Sequence, residues 1–302
     1  MNKFIIKIAV FGVVILLSIA FVFSLADGQS DLFYKRFTST KQTSLLIGSS
    51  RIAQALMPSV INKELKNVTT YNYGFTYNLS PYGLAYLNNI KKKLDTSVSD
   101  QIFILDVNPW GLVSNSDDPN NAALFSERGE FIETLTMVNS NPNYEYLIDS
   151  YAEPFVKLLH NNTNFRVEDD GYLMLLKTFS TEELEANKDQ VIINFTELLD
   201  ELQFSKLRLS YLKETISYLK NYGEVYLVRL PISAELLEIE NTISPDFDGL
   251  LFKLSAESNV TYLNYLDKSK RYNYIDGHHL SPESAKVLSL DLAKHIKQLK
   301  HQ

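Results

Sequence analysis

The sequence predicts an α/β protein: a parallel sheet with helices on both faces, an inserted segment that is mostly helical, and one transmembrane helix ahead of the sheet. Three observations predict this architecture. The chain opens with an uncharged apolar run, short apolar runs typical of buried strands then alternate with amphipathic stretches, and one long interval breaks the alternation. Because a crossover helix joins parallel strands, such alternation indicates a parallel sheet covered by helices.

The amino-terminal element is an apolar run over residues 8–26, which contains no charged residue. As a helix it spans roughly 28 Å, close to the ~30 Å hydrocarbon thickness of a bilayer. Lys3 and Lys7 precede the run. Since positively charged flanks stay in the cytoplasm, we expect residues 1–26 to be a membrane anchor and residues 27–302 to form an exported domain.

Two other interpretations of this run stay open. Ser24, Leu25 and Ala26 end it with the small residues of a cleavage site, so a cleaved signal peptide would export the same domain. A buried core helix is the other alternative, although no polar face interrupts the run. The anchor fits better because the run is longer than the ~7–15 apolar residues of a signal peptide.

Composition narrows the function classes. The 302 residues include 29 Lys and Arg and 36 Asp and Glu, so the net charge is -7. This charge argues against a nucleic-acid binder, because such proteins need a basic face. Cysteine is absent. The chain therefore has no disulfide, thiolate zinc site, iron–sulfur cluster or cysteine nucleophile.

Five short runs have the character of buried strands, rich in aliphatic, β-branched and aromatic residues. In chain order they cover residues 43–47, 67–73, 101–107, 224–230 and 260–265. The third run, QIFILDV, has the continuous hydrophobicity of a strand buried on both faces. Ligands of such sheets bind beyond the carboxyl ends of the strands, so we expect the functional side chains there.

Helical stretches lie between these strands. Residues 52–64 are predicted to form a helix after the first strand. A second helix is predicted to end at Gly223. The last helix is predicted to begin at Pro282, its first position, with Ser281 as its cap. The two later helices each show one apolar stripe, formed by Leu209, Leu212, Ile216 and Leu219 and by Ala285, Leu288, Leu292, Ile296 and Leu299.

One interval, residues 112–205, does not fit the alternation. It opens with a polar loop at residues 114–121 and is too long for a structureless connection. We expect a mostly helical insertion that lies over the carboxyl edge of the sheet. Its aromatic residues predict either a small satellite core or a wall on which sugar rings stack; they are Phe125, Phe131, Tyr144, Tyr146, Tyr151, Phe155, Phe165, Tyr172 and Phe179.

A serine follows the first strand in the motif Gly48-Ser49-Ser50-Arg51. A serine on a tight strand-to-helix turn exposes its hydroxyl, and the amides at the start of the helix favour the anion that develops in acyl transfer. The same residue types also suit a plain helix cap. The elbow of α/β-hydrolases, G-x-S-x-G, is not present, because Ile52 follows Arg51.

The second motif is Asp276-Gly277-His278-His279, just before the last helix. An Asp three residues ahead of a His can fold back and hold one imidazole nitrogen, which leaves the other free as a base. A solvated loop with two histidines is the structural alternative. We expect neither a metal site nor a cofactor, because the other histidines show no spacing typical of ligands; they are His160, His295 and His301.

In this order and on these elements, the two motifs resemble those of the SGNH (GDSL-like) hydrolase superfamily. Gly48-Ser49-Ser50 stands where that family has G-D-S, with Ser49 in place of the aspartate, and Asp276 with His279 matches its D-x-x-H pair. Gly74 after the second strand fits the second block. Asn108, in Asp-Val-Asn-Pro, aligns with the asparagine of the third block, G-x-N-D, but the glycine and the aspartate of that block are missing.

The resemblance implies a flavodoxin-like, three-layer α/β/α fold and a serine hydrolase mechanism. Ser50 is then the nucleophile, His279 the base that takes its proton, and Asp276 the residue that orients the base. His278, one position earlier, is the reserve candidate for the base or a substrate-binding residue.

The resemblance also implies an oxyanion hole. Its donors are the backbone N–H groups of Ser50 and Gly74 and the side-chain amide of Asn108. Arg51, directly after the nucleophile, has two interpretations: a guanidinium that binds an anionic group of the substrate, or one held in a structural ion pair.

The G-S-S-R form, the anchor and the exported domain look most like the envelope branch of this superfamily, with members similar to lipoteichoic-acid D-alanylation and alginate O-acetylation proteins. This implies a bacterial cytoplasmic membrane protein with a periplasmic or extracellular catalytic domain. It also implies an acylated polysaccharide or other envelope ester as substrate, and a multi-spanning acyltransferase as partner. Esterase and O-acyltransferase activities stay open, as do two alternatives: a non-catalytic assembly or adaptor protein, and a sugar-binding module that uses the aromatic residues.

Overall fold

The computed structural model of the chain describes residues 2–151, 154–158 and 164–300. His160 and His301, weighed above as metal ligands, lie outside the described residues, and so does the side chain of Phe155. The helices, strands and side-chain contacts belong to this described part of the chain.

Helices and strands alternate along it. The helices are α1 (Asn2–Ser24), α2 (Tyr34–Thr38), α3 (Ser50–Ala55), α4 (Pro58–Leu65), α5 (Leu84–Lys93), α6 (Phe131–Thr134), α7 (Tyr144–Asp149), α8 (Thr181–Glu201), α9 (Lys206–Leu219), α10 (Ala234–Ile243), α11 (Phe247–Ser258) and α12 (Pro282–Lys300). The strands are β1 (Ser44–Gly48), β2 (Thr70–Gly74), β3 (Gln101–Asp106), β4 (Val113–Asn115), β5 (Phe165–Val167), β6 (Leu173–Leu175), β7 (Leu202–Phe204), β8 (Gly223–Arg229) and β9 (Thr261–Asn264). Short 3-10 helices cover Pro109–Leu112, Ala122–Leu124, Phe155–Leu158 and Leu266–Arg271.

Five of the strands form one parallel sheet, in the order β2-β1-β3-β8-β9. They are the five strands predicted from the sequence, each within a few residues of its predicted bounds. All residues of β1, β2 and β3 are buried, as continuous apolar runs require. Gly48 pairs with Gly74, so the carboxyl ends of β1 and β2 are level. The predicted α/β fold with a parallel sheet is confirmed.

Helices cover both faces of this sheet. On β1, Leu45 and Ile47 belong to one core cluster and Leu46 to another, because successive side chains of a strand point to opposite faces. The first cluster also takes side chains from α5, α9 and α11, and the second from α3, α4 and α12.

The amino-terminal helix α1 joins the core only at its end. Phe23 is its one buried residue, and the centroid of the Phe23 ring lies 6.2 Å from that of Tyr144. By length and composition α1 could cross a membrane. The exposure of its apolar side chains does not fit the alternative of a buried core helix.

Residues 112–205 contain the long helix α8, several short helices and four short strands. These strands form two antiparallel ribbons, β4 with β7 and β5 with β6. Two aromatic residues of the segment, Phe131 and Tyr146, pack on Phe37, with ring centroids 5.4 and 5.3 Å from its own. These side chains therefore extend the first core cluster of the sheet.

A buried ion pair joins this segment to α9. Arg208 donates to both carboxylate oxygens of Glu127, at 3.0 and 2.9 Å, and its guanidinium lies 3.7 Å from the ring centroid of Phe125. The two charged side chains are 1% and 2% exposed. Because both are out of water, each depends on the other to offset its desolvation.

We expect Glu127→Ala to lower the free energy of unfolding by about 3–5 kcal/mol, because it leaves the Arg208 guanidinium buried without its counter-charge. The control, Arg128→Ala, removes an exposed pair with Glu133 and should cost at most about 1 kcal/mol. Urea denaturation of the full-length chain in detergent, followed by the fluorescence of Trp110, measures both. Equal losses in the two variants would contradict this expectation.

Candidate active site

The turn between β1 and α3 presents Ser50 at the start of a helix. Gly48 has φ of +154°, and a Cβ there would lie 2.7 Å from Cβ of Asp106, so the turn requires glycine. Ser49 caps the helix: its Oγ accepts a hydrogen bond from the N–H of Arg51 at 3.3 Å. Ser49 thus serves as the cap, and the hydroxyl of Ser50 is left for other contacts.

The carboxylate of Asp276 folds the loop before α12. Its Oδ1 accepts hydrogen bonds from the backbone N–H groups of His278 and His279, at 3.1 and 2.8 Å. Gly277 has φ of +92°, a conformation that favours glycine. The N–H of Ile275 donates to the carbonyl of His279 at 2.9 Å and closes the loop. This path brings the His279 ring to the second oxygen of the same carboxylate.

Three side chains form a continuous hydrogen-bonded series. Nδ1 of His279 lies 2.7 Å from Oδ2 of Asp276, and Nε2 of His279 lies 2.8 Å from Oγ of Ser50. Because a carboxylate only accepts hydrogen bonds, the Nδ1 proton points to Asp276 and Nε2 accepts the Ser50 hydroxyl. The structure therefore brings together the three residues predicted as nucleophile, base and orienting residue, although 229 positions separate Ser50 from His279.

The Asp276 carboxyl is ionised in this setting. Burial by itself raises its pKa, but the electrostatic attraction between the carboxylate and the His279 ring and the hydrogen bond from that ring outweigh burial and lower the pKa well below the ordinary value. The group therefore stays negative at neutral pH. A negative charge at this place stabilises a positive His279 ring and holds it in one orientation.

His278 lies beside the series, not within it. Its ring centroid is 3.8 Å from that of His279 and 5.2 Å from that of Phe195, which belongs to α8. Its Nδ1 lies 3.3 Å from Oδ1 of Asp276 without the alignment of a hydrogen bond. Burial is the main cause that lowers the pKa of His278 well below its usual value, so its ring is neutral. The ring that reaches Ser50 is His279.

Gly74 lies against the helix that carries Ser50. A Cβ on Gly74 would come within 2.6 Å of the Ile52 side chain and 2.8 Å of the Ser49 carbonyl oxygen. Its N–H donates to Oδ1 of Asn72 at 3.2 Å, and Nδ2 of Asn72 donates to the Ile52 carbonyl at 2.8 Å. Gly74 therefore permits close packing of α3 on β2, and its amide already has an acceptor.

Asn108 follows β3 at the same edge of the sheet. Its Nδ2 donates to Oδ2 of Asp106 at 2.9 Å, and its Oδ1 accepts from the N–H of Gly111 at 3.2 Å. Burial raises the pKa of the Asp106 carboxyl, although the charge of Arg51 and the bond from Asn108 act against it. One of the two Asn108 amide hydrogens is thus committed to Asp106.

Arg51 lies in a buried ion network. Its Nη1 donates to Oε1 of Glu240 at 2.8 Å, and the other oxygen of Glu240 accepts from Nη2 of Arg229 at 2.8 Å. Nη2 of Arg51 donates to the carbonyl of Leu230 at 3.0 Å. The Arg51 and Glu240 side chains are 4% and 2% exposed. Of the two interpretations of Arg51, the structure has the ion pair, which fastens α3 to α10.

Three side chains around the site were missed by sequence reasoning: Asp106, Glu240 and Phe195. Glu240 and Phe195 reach the site only through tertiary contacts, so no local pattern could have identified them. Asp106 did carry a signal, because a carboxylate at the end of an otherwise apolar strand needs a polar partner when buried. Its partners are the amide of Asn108, at 2.9 Å, and the hydroxyl of Ser49, at 3.5 Å.

Asp276, His278 and His279 are also a group of described residues whose donor atoms lie close enough, within 4.8 Å of one another, to hold a metal ion. Asp276 and His279 already hydrogen-bond each other at 2.7 Å. A metal ion at this place would compete with the bond that orients His279.

No protein-family model matches the chain, and no curated protein is significantly similar to it. A hydroxyl that donates to an imidazole, which in turn is held by a buried carboxylate, suits nucleophilic attack with general-base assistance.

The neutral, buried His278 predicts a loss of stability on acidification. Its pKa is depressed by folding, so below about pH 6.5 the unfolded chain binds a proton that the folded chain does not, and the free energy of unfolding falls as pH falls. Below about pH 6.5, the free energy of unfolding of the wild type should fall by up to about 1.4 kcal/mol more per pH unit than that of His278→Phe. Urea denaturation at successive pH values measures both slopes. Parallel slopes would show that His278 is protonated in the folded chain.

Proposed function

We propose that the chain is a membrane-anchored serine esterase or O-acyltransferase of the SGNH type that acts on cell-envelope polysaccharide. The observation that carries this proposal is the series Ser50–His279–Asp276, joined at 2.8 and 2.7 Å. The side chains of His279 and Asp276 are each 15% exposed, so the series is shielded but not sealed from solvent. Shielding strengthens each of its electrostatic contacts.

The geometry gives each side chain one task. Oγ of Ser50 attacks the carbonyl carbon of the ester while Nε2 of His279 takes the hydroxyl proton. The imidazolium that results is stabilised by Asp276, to which Nδ1 stays hydrogen-bonded. When the tetrahedral intermediate collapses, Nε2 returns the proton to the departing alkoxide oxygen and the acyl group remains on Ser50.

Release of the acyl group repeats these steps with a second nucleophile. His279 takes a proton from water in hydrolysis, or from a sugar hydroxyl in transfer, and then returns it to Oγ of Ser50. The two outcomes differ only in which oxygen reaches the acyl-serine. A bound acceptor and the exclusion of water favour transfer.

The oxyanion that forms during attack needs hydrogen-bond donors, each worth about 3–4 kcal/mol. The N–H of Ser50 is at the first position of α3, where an amide has no intrahelical acceptor. Asn108 has a second amide hydrogen beside the one it gives to Asp106. Gly74 contributes only if its hydrogen bond to Asn72 opens or is shared.

Membership of the SGNH superfamily and a flavodoxin-like fold belong to the same proposal. Numbered by their position in the chain, the strands of the parallel sheet run 2-1-3-4-5, an order that flavodoxin-like folds share. The four blocks of the resemblance also follow the edge of this sheet. They are the turn after β1, the glycine that ends β2, the asparagine after β3 and the Asp–His pair before α12.

The proposed location is the bacterial cytoplasmic membrane, with the catalytic domain outside the cytoplasm. It is supported by α1, which could cross a membrane, and by Lys3 and Lys7 on its amino-terminal side. A transferase at this location needs acyl groups from the cytoplasm, which makes a multi-spanning acyltransferase the fitting partner. An esterase needs only the acylated polysaccharide.

One observation favours a second candidate, a non-catalytic assembly or adaptor protein on the same fold. Two of the three expected oxyanion donors, the Gly74 amide and the Asn108 side chain, are bonded to neighbouring side chains. A site that cannot stabilise the oxyanion would keep the series of three residues without useful turnover.

Turnover of a small ester distinguishes the two candidates. The full-length chain in detergent should hydrolyse p-nitrophenyl acetate, and Ser50→Ala should lower kcat by at least about 10³-fold because the nucleophile is lost. A fluorophosphonate should label the wild type and not Ser50→Ala.

Ser49→Ala is the matched control for this experiment. It removes the neighbouring hydroxyl and one helix cap, at about 1 kcal/mol of stability, and should still be labelled. Equal, slow hydrolysis by the wild type and Ser50→Ala would favour the adaptor over the enzyme.

The roles of His279 and Asp276 can be tested without loss of the fold. His279→Ala should lower kcat by about 10³-fold or more, with a melting temperature within a few degrees of the wild type, because the ring is partly exposed and lies in the loop before α12. Asp276→Asn should also lower kcat steeply, because an amide can donate to Nδ1 and reverse the tautomer of His279. Activity assays with thermal denaturation measure both. Unfolding of His279→Ala would instead identify a structural histidine.

A further inference from the structure

A cavity of about 730 Å³ lies between the start of α8 and the loop that carries the proposed catalytic pair. Ile275 and Gly277, on either side of Asp276, belong to its wall. The opposite wall comes from the insertion, through residues 175–188. Its volume falls within the roughly 300–1,000 Å³ of small-molecule sites.

The loop and α8 are in direct contact along this cavity. Nδ2 of Asn187 donates to the carbonyl of Ile275 at 3.3 Å. A Cβ on Gly277 would come within 3.2 Å of the Lys188 side chain. A molecule held in the cavity would therefore lie beside the backbone that fixes Asp276 and His279.

The wall offers aromatic faces together with hydrogen-bonding groups. Phe179 and Tyr274 line the cavity with half-buried rings, Leu184 of α8 adds an aliphatic surface, and Tyr272, which is buried in the second core cluster, supports the wall from behind. The Tyr274 hydroxyl donates to the carbonyl of Ser269 at 3.1 Å, which fixes the position of its ring. Rigid aromatic rings present flat apolar surfaces that suit the C–H faces of a sugar ring.

The charges of the wall do not favour an anion. The ammonium of Lys177 pairs with Glu183 at 2.9 Å, and that of Lys188 pairs with Glu235 at 3.0 Å. Glu185 also lines the cavity and, like Glu283, is in no ion pair between described residues. Carboxylates accept hydrogen bonds from hydroxyl groups, whereas they repel negatively charged ligands.

We propose that this cavity binds an uncharged sugar segment of the acylated polysaccharide, with a ring face on the aromatic side chains and hydroxyl groups on the carboxylates. The inference rests on the proposed function and names the class of glycan that the site takes. The cavity holds the part of the glycan chain beyond the ester, while the ester itself lies at Ser50.

Binding to the full-length Ser50→Ala protein in detergent tests the cavity separately from turnover. Chitotetraose and mannotetraose are the uncharged probes and tetragalacturonate is the anionic one, each titrated by isothermal calorimetry. We expect at least one uncharged probe to bind, and tetragalacturonate to bind at least tenfold more weakly. No binding of either uncharged probe, or tighter binding of the anion, would overturn the proposal.

Two substitutions then locate the binding site. Leu184→Trp fills the cavity and Phe179→Ala removes an aromatic face, so each should weaken sugar binding at least tenfold. Ile193→Trp is the control, because it adds the same side chain to the same helix at an exposed position that does not line the cavity. Thermal denaturation identifies any variant that fails to fold, and Phe179→Ala replaces Leu184→Trp if the larger side chain is not accommodated. Unchanged binding in a folded cavity variant would overturn the proposal.

The outcome for the cavity is distinguishable from the outcome for catalysis. Sugar binding without turnover of a small ester would refute the esterase and transferase proposals and leave the cavity as a glycan site. Ester hydrolysis without sugar binding would refute the cavity alone.

Discussion

One carboxylate performs two structural tasks, and the proposed site depends on it. Oδ1 of Asp276 accepts two backbone N–H groups and so determines the path of the loop, while Oδ2 holds the ring of His279. The loop and the imidazole are therefore oriented by the same group. Each hydrogen bond offsets part of the cost of burying the charge, which is why the carboxylate stays ionised. His279 consequently meets Ser50 in one defined orientation.

The parallel sheet supplies the other half of the site. Neighbouring strands in register end at the same level, so the turn after β1 lies beside Gly74 and above Asp106. Glycine at both strand ends lets α3 approach closely, and the buried pair of Arg51 with Glu240 holds that helix from the other side. Ser50, the proposed nucleophile, is therefore carried by a packed element and not by a free loop, which suits a reaction that needs defined geometry.

The segment that breaks the strand–helix alternation is also the segment that approaches the loop of Asp276 and His279. Phe195 of α8 lies 4.4 Å from Trp110 and 5.2 Å from His278, measured between ring centroids. The first half of the same helix borders the proposed sugar cavity. In this arrangement the sheet and the loop before the last helix position Ser50, His279 and Asp276, and the insertion forms one wall of the proposed sugar cavity. Recognition can then vary without change to the reacting groups.

The sequence by itself determined the five parallel strands, the place of Ser50 after the first of them and the place of Asp276 and His279 before the last helix, because apolar runs and turn residues are local patterns. It also predicted the helix α1, because a long uncharged apolar run is recognised from the sequence alone. The tertiary structure alone decided that Arg51 meets Glu240 and that the Gly74 amide meets Asn72. Those contacts depend on how α3 packs between the sheet and its neighbouring elements. Packing brings together side chains that are far apart in the chain, and no periodic pattern in the sequence marks them as partners.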